Sequence, residues 1–353
     1  MKILFIGSEL NKPGGIQRYN RHLLGALKDL GYNVSLVELK KLNYLSKIIF
    51  TFKFFLKSLF FFPDFTICAN INYSPLCYAA KKILNRNYSV TLYGIQALNI
   101  KPLYKVFLES AKFINAPFEF TLDNAIKQIP AIKDKTTILP NPLVDEEFFI
   151  KRKPEYLLNR HYLEGAKIIL TISRLPSPSE RENKGYCRVI EAMPLILKRI
   201  PNAKYVLAGG GDDLPYVEDL ISKKNLKDSV ILTGPIKNEE MVNYYNLADV
   251  FVFPSKTEGF PALVLLEALA CGVPVVGGDQ AGSDKYPWNG EVGLIVKADS
   301  INDIAVATIK ILTADVPPKV LDRNHLRKTI LEIYGREGYG KHLDNFINFM
   351  SAK

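Results

Sequence analysis

The stretch Val250-Phe251-Val252-Phe253-Pro254-Ser255-Lys256-Thr257-Glu258-Gly259-Phe260-Pro261-Ala262-Leu263-Val264-Leu265-Leu266-Glu267-Ala268-Leu269-Ala270-Cys271-Gly272-Val273-Pro274-Val275-Val276 decides the fold. Its first four residues are a short apolar run, as in a strand buried on both faces. The run stops at Pro254, and a turn then presents Glu258 beside Gly259. The pattern predicts a helix that starts near Pro261, carries Glu267 and stops at Gly272, with a new strand from Val273. The two acids thus stand at the carboxyl end of a parallel strand and on the helix that follows it. Open α/β sheets bind ligands in that crevice. Carboxylates cannot hold a phosphate directly, but they accept hydrogen bonds from the hydroxyls of sugars and riboses.

Strand and helix alternate in both directions from this stretch. Upstream, strands are expected at 3–7, 33–39, 65–69, 89–92, 113–115 and 136–139, with helices at 15–30 and 42–62. Downstream of a polar stretch at 150–165 the alternation restarts. Strands are expected at 167–173, 205–208, 230–233 and 293–296. Helices are expected at 186–200 (despite Pro194), at 214–224, and at 238–246, the last opened by Asn238 as its cap. This is an α/β chain of two Rossmann-like, doubly wound domains facing each other across a cleft. The expected division is 1–158 and 159–334, with a C-terminal helix at 335–353 packing back on the first domain.

The 353 residues suit two domains, and nearly half are apolar. The four cysteines, Cys68, Cys77, Cys187 and Cys271, lack metal-type spacing, which points to a reducing compartment without disulfides. The four histidines show no paired spacing, so no metal site and no Ser-His triad is assigned. The start at Met1 is too short an apolar run for a signal peptide, and no stretch of 18 apolar residues predicts a transmembrane helix.

Charge is unevenly placed. Residues 1–158 carry 22 Lys and Arg against 12 Asp and Glu, while the remainder carries 24 of each. An anionic partner met by the first half follows from this asymmetry. Within that half, residues 40–62 are rich in Phe and Lys. On a helical wheel Lys40, Asn43, Lys47, Thr51, Lys53, Lys57 and Ser58 fall on one side; Ile48, Ile49, Phe52, Phe55, Leu56, Leu59 and Phe62 fall on the other, and Phe50, Phe54 and Phe61 interrupt the polar arc. Such a helix either lies on an anionic membrane surface or packs in a core with snorkelling lysines. The charge asymmetry favours the membrane.

Other residues carry chemistry less specifically. Gly14-Gly15 follow the first strand and open a helix, where backbone N–H groups suit a diphosphate or simply end a loop. Arg174 follows the strand at 167–173, and a polar loop returns Lys184 to the next helix. Two cations at one sheet edge clamp a diphosphate or remain solvated, and spacing alone favours the second. The run Gly209-Gly210-Gly211 lacks both phosphate-loop spacings and reads first as a tight strand-to-helix turn. Tyr93 at a strand end either meets a sugar or packs with its hydroxyl satisfied.

Taken together these residues resemble the retaining glycosyltransferases of family 4, which have the GT-B fold. The resemblance is carried by Ile172-Ser173-Arg174-Leu175, Asn183-Lys184-Gly185, Ala208-Gly209-Gly210-Gly211-Asp212, Ala248 to Ser255, and Glu258 through Val276. It is specific over 168–296 and weaker over 1–150. It implies a hexosyltransferase (EC 2.4.1.-) that moves a sugar from a UDP- or GDP-sugar, with no metal and no cofactor. The acceptor would be a saccharide or lipid-linked sugar in cell-surface polysaccharide or glycolipid assembly. Arg174 and Lys184 would hold the donor diphosphate, Glu258 would lie by the transferred sugar, and Glu267 would bind the ribose. Backbone at Gly14, Gly15, Gly210, Gly259, Phe260 and Ala262 would meet the donor, with the first domain taking the acceptor.

Two departures stand out. Eight residues separate Glu258 from Glu267 where the family usually has seven, and Tyr93 stands where the family often has a histidine. Two alternatives keep the same donor site: a non-catalytic nucleotide-sugar-binding GT-B protein, and a GT-B sugar-phosphate synthase or phosphorylase. No nucleic-acid motif is present. The expected location is the cytoplasm, with a peripheral place on the inner face of the cell membrane as the membrane reading implies.

Overall fold

The computed structural model describes residues 1–11, 15–143, 146–178, 181–256, 261–279, 283 and 290–351. Two compact units emerge, one made of residues 1–142 and 338–353 and the other of residues 143–337.

The first unit is built on a parallel six-stranded sheet. Its strands are β1 (Lys2–Ser8), β2 (Asn33–Leu39), β3 (Phe65–Cys68), β4 (Tyr88–Thr91), β5 (Phe113–Ala116) and β6 (Thr136–Ile138). Their spatial order is β2-β1-β3-β4-β5-β6. The sheet is covered on both faces. Phe5 and Ile3 point into a core with Tyr19 and Leu23 of the helix Gly15–Asp29. Leu4 and Ile6 point into the opposite core with Phe50 and Phe54. Tyr339, Leu343, Phe346 and Met350, near the C-terminus, join the first of these cores, with the Phe346 ring edge-on to Phe113 at 5.2 Å.

The helix between β2 and β3 runs Tyr44–Phe60, shorter than expected, and Asn43 caps it by accepting from the Ser46 N–H at 2.9 Å. Its orientation is the main surprise of this unit. The residues it buries are Phe50, Phe54 and Ser58, which lie on the wheel side that carries the lysines. The opposite, apolar side faces outward, except for Phe55 at its edge, which is half-buried against the core.

The second unit repeats the plan with β7 (Lys167–Ile172), β8 (Ala203–Ala208), β9 (Val230–Gly234), β10 (Val250–Phe253), β11 (Val275–Gly278) and β12 (Gly293–Val296). The order is β12-β11-β10-β7-β8-β9, all parallel. The chain winds outward from β7 through β8 to β9, then returns to lay β10 on the other side of β7. The carboxyl ends of β7 and β10 are therefore the switch point of this sheet, where connections diverge and leave a crevice.

Strand β10 shows why its sequence is continuously apolar. Phe251 and Phe253 enter one core with Tyr245 and Leu266, while Val250 and Val252 enter the other with Tyr186 and Val189. Within the polar stretch 150–165, Leu157 and Leu163 are buried in this second unit's core with Leu143 and Phe148. The helix Asn238–Leu247 begins at Asn238 itself, so the cap position falls on Lys237 and no side chain caps it. Its first-turn acids, Glu239 and Glu240, still suit the helix dipole. Among the described residues, no helix is long and apolar enough to cross a membrane.

Candidate functional site

The switch point of the second sheet gathers three segments. The first is Ser173-Arg174-Leu175, which leaves β7. Ser173 N–H donates to the Ala208 carbonyl at 3.0 Å and Leu175 N–H to the Gly210 carbonyl at 3.0 Å, so this segment lies against the glycine run. The contact is backbone on backbone. A Cβ at Gly209 would stand 1.8 Å from the Ser173 carbonyl oxygen, and one at Gly211 would stand 2.0 Å from that of Leu175. Both glycines also have positive φ, 144° and 149°. The run is thus first a packing device that fixes the backbone on either side of Arg174. The Arg174 side chain is exposed.

The second segment carries Lys184. A four-residue helix, Arg181–Lys184, precedes Gly185, whose φ is 80°. This loop is stitched to the end of β10. Asn183 carbonyl accepts from the Lys256 N–H at 3.0 Å and from Ser255 Oγ at 2.8 Å. Arg188, itself buried, donates to the carbonyls of Glu182 and Pro254, each at 3.0 Å. A Cβ on Gly185 would stand 2.4 Å from the Pro254 carbonyl oxygen, so only glycine permits this approach. The loops bearing Arg174 and Lys184 are therefore held at the carboxyl ends of paired strands, β7 and β10.

The third segment is the helix Leu263–Ala270 after β10. Ala262 sits buried at its cap position, and its carbonyl accepts from the Leu265 N–H at 2.9 Å. Glu267 is 1% exposed, and its Oε2 accepts from the Tyr245 hydroxyl at 2.6 Å. Burial, then the Glu267 charge, push the thiol of Cys271 up to about 12. Glu258, Gly259 and Phe260 lie outside the described residues, as does Gly14.

A further ion pair was not legible beforehand. Asp213, 1% exposed, accepts from Arg181 Nε at 2.8 Å and Nη2 at 2.5 Å, and from the Tyr186 hydroxyl at 2.7 Å. The Arg181 guanidinium also lies over the Tyr216 ring, 3.3 Å from its centroid. Burial, reinforced by Asp213, holds the Tyr186 hydroxyl well above the ordinary tyrosine range. The only hint in the sequence is the acid pair Asp212-Asp213 closing the glycine run.

In the first unit, Gly15 is the exposed first residue of its helix. Tyr93 is buried, and its hydroxyl donates to Asn20 Oδ1 at 2.9 Å. It belongs to a polar network beneath the ends of β4 and β5. Tyr19 packs edge-on against Tyr93 and donates to the Leu139 carbonyl at 3.1 Å, and Asn115 Nδ2 donates to the Tyr19 hydroxyl at 3.3 Å. Among the described residues, no group of three or more His, Cys, Asp or Glu is placed to hold a metal ion.

Residues 160–329 match the family described as Glycosyl transferases group 1. This part of the chain is a glycosyl transferases group 1 domain. The match begins just before β7 and ends within the helix Arg323–Tyr334, so it takes in all three segments of the switch point. The chain also has a mycobacterial relative. Over 194 residues the chain is 28% identical to a GDP-mannose-dependent α-(1-6)-phosphatidylinositol monomannoside mannosyltransferase of Mycobacterium tuberculosis, covering 53% of this chain and 47% of that protein. The chain thus spans about half the length of that curated relative.

Solved structures extend the likeness beyond the group 1 domain. A sucrose-phosphate synthase from Thermosynechococcus elongatus superposes with TM-score 0.79 at 20% identity, over 98% of each chain. The Anabaena protein HepE, solved in complex with UDP-glucose, gives TM-score 0.76 at 16% identity over 99% of each chain. These likenesses show the fold, which is GT-B.

Proposed function

We propose that this protein is a retaining glycosyltransferase that moves a hexosyl group from a UDP- or GDP-sugar to a saccharide or lipid-linked acceptor. The observation that carries the reading is the pairing of the Arg174 and Lys184 loops at the ends of β7 and β10, with Glu267 buried on the helix that follows. Cations at that crevice stabilise the negative charge that builds on a leaving nucleoside diphosphate, where fixed charge contributes most. Arg174 supplies a planar fork and Lys184 a point charge. Glu267 takes the ribose hydroxyls. Glu258, the backbone of Gly259, Phe260 and Ala262, and the glycines Gly14, Gly15 and Gly210 complete the donor contacts. No residue acts as general base; the leaving phosphate accepts the proton of the acceptor hydroxyl on the same face. Neither metal nor cofactor takes part.

The lysine excess of the first half, and the lipid acceptor in the name of the mycobacterial relative, support an acceptor presented at a membrane. The protein then works in the cytoplasm, peripheral to the inner face of the cell membrane, through residues 40–62, in cell-surface polysaccharide or glycolipid assembly. Tyr93 is assigned no direct role, since its hydroxyl is already engaged.

The test is a screen of UDP- and GDP-sugars for release of nucleoside diphosphate, with GDP-mannose and UDP-glucose first. Turnover should persist in EDTA, and NMR of the product should show the donor's anomeric configuration. Arg174→Ala and Lys184→Ala should each lower turnover by about two orders of magnitude or more while the protein stays folded. Full activity in either variant, or an inverted product, overturns this reading.

A further inference from the structure

The helix Tyr44–Phe60 turns its apolar side away from the protein. Leu45, Ile48, Ile49, Phe52, Leu56, Leu59 and Phe60 are all exposed, Phe52 to 63% and Phe60 to 76%. Their three- and four-residue spacing lines them up as one stripe, opposite the buried Phe50, Phe54 and Ser58. Tyr44, the first residue of the helix, is 81% exposed, and Leu42 and Phe62 lie just past its two ends at 79% and 59% exposure. Seventeen residues make a rod about 25 Å long. An apolar stripe of that length is uncommon on a surface that meets only water.

Charge says what covers it. Residues 40–63 hold five lysines and no Asp or Glu. The unit as a whole carries 21 Lys and Arg against 9 Asp and Glu, whereas the other unit carries 25 against 27. A second copy seated on this face would bring two such positive units together, which opposes self-association. An anionic lipid surface satisfies both the apolar stripe and the lysines at its border.

The flank of the helix adds a detail. A pocket of about 340 Å³ opens against the edge strand β2, lined by Lys40, Lys53, Lys57, Leu56 and Glu38 among others. Lys57 Nζ is engaged with Ser35 Oγ at 2.9 Å and the Leu36 carbonyl at 3.0 Å, and Glu38 accepts from the Leu10 N–H at 2.8 Å. Lys40 and Lys53, both exposed, border the opening.

We propose that residues 42–62 are a docking face for an anionic lipid bilayer. The helix lies in the plane of the interface with its outward apolar stripe among the acyl chains, and Lys40 and Lys53 meet lipid phosphates. The proposal rests on the membrane side of the function proposed above, and it names the face and its polarity.

Co-sedimentation of the full chain with vesicles tests it. Half-maximal pelleting should need roughly tenfold less lipid with phosphatidylglycerol–phosphatidylcholine vesicles than with phosphatidylcholine alone. The triple variant Leu45→Ser/Phe52→Ser/Phe60→Ser should raise the lipid required by roughly tenfold or more. Lys53→Glu should raise it roughly fivefold or more on the anionic vesicles only. Val306→Ser, which removes an exposed apolar side chain of the other unit, should change nothing. Wild-type pelleting by the triple variant overturns the docking face. So does a vesicle-free wild-type dimer that the triple variant converts to monomer. Nucleoside diphosphate release from the same preparations keeps the two readings apart. Turnover without vesicle binding overturns this face and leaves the transferase standing; vesicle binding lost in the triple variant, with no turnover in any preparation, overturns the transferase and supports this face.

Discussion

Arg181 and Asp213, 32 residues apart in sequence, form a forked ion pair that ties the Lys184 loop to the turn after the glycine run, with Arg181 Nε 2.8 Å from each carboxylate oxygen. The carboxylate side chain is fully buried while the guanidinium side chain keeps 19% exposure. Removing the Arg181 partner, or the charge of Asp213, leaves a buried side chain without its compensation. Asp213→Asn should therefore lower the melting temperature measurably. If the pair positions Lys184, it should also raise KM for the donor more than it lowers kcat. Arg181→Lys keeps the charge but loses the fork, and should reproduce most of the KM change. A donor KM unchanged in both variants would confine the pair to stability.

Gly185 touches the Pro254 backbone where β10 ends. Gly185→Ala places a methyl 2.4 Å from a carbonyl oxygen at a φ of 80°, so the loop must move. The left-handed conformation alone costs roughly 1–2 kcal/mol for a residue with a Cβ. The clash adds displacement of Lys184, one residue away. Turnover should fall steeply in a chain that still melts cooperatively. Gly15→Ala, by contrast, meets no atom within 4 Å and should leave the fold unchanged.

Glu267 is held in the core by Tyr245. Tyr245→Phe removes a 2.6 Å donor from a buried carboxylate and should destabilise the second unit by about 1–3 kcal/mol. Under the proposed function Glu267 takes ribose hydroxyls, so the variant should weaken nucleotide binding in calorimetry. The loss should be smaller than that of Glu267→Ala. Equal affinity of both variants and the parent would remove Glu267 from the donor site.

These tests lean on features of unequal legibility. The inner strands could be read because they are buried on both faces and so spell a run such as Ile168 to Ile172 or Val250 to Phe253. Strand, turn and helix order puts Arg174 and Lys184 after β7 and Glu267 on the helix after β10, but their gathering on one crevice came only with the family resemblance, because it depends on β7 lying beside β10. The Arg181–Asp213 pair was not legible, because it depends on β7 and β8 lying side by side, a relation no local pattern encodes. The helix Tyr44–Phe60 was readable as a helix but not in orientation. A wheel separates two sides, yet nothing in it says which one the sheet takes. Here Phe50 and Phe54 fill the core from the lysine side while Lys57 reaches back to Ser35 and Leu36.

The histidines predict how stability depends on pH. Burial first, then neighbouring Arg18, lowers His22 to about 4. His161 is lowered by burial and by Arg160, and His342 by burial. In the unfolded chain a histidine takes up its proton near pH 6.5. Between about pH 6.5 and 4 the unfolded state therefore holds more protons than the folded one, and stability falls as pH drops through that window. Above it these groups contribute nothing. Glu291, lowered mainly by its hydrogen bond with Lys319, and Asp299, lowered by Lys256, act at more acidic pH, because their stabilisation is lost only as the carboxylates protonate. The melting temperature at constant ionic strength should be level above about pH 7 and decline from about pH 6.5 downward, above the range where Glu291 and Asp299 act. His22→Gln should flatten that decline, whatever it does to the plateau. A profile level down to about pH 5 in the parent chain would show that these histidines are not held neutral by the fold.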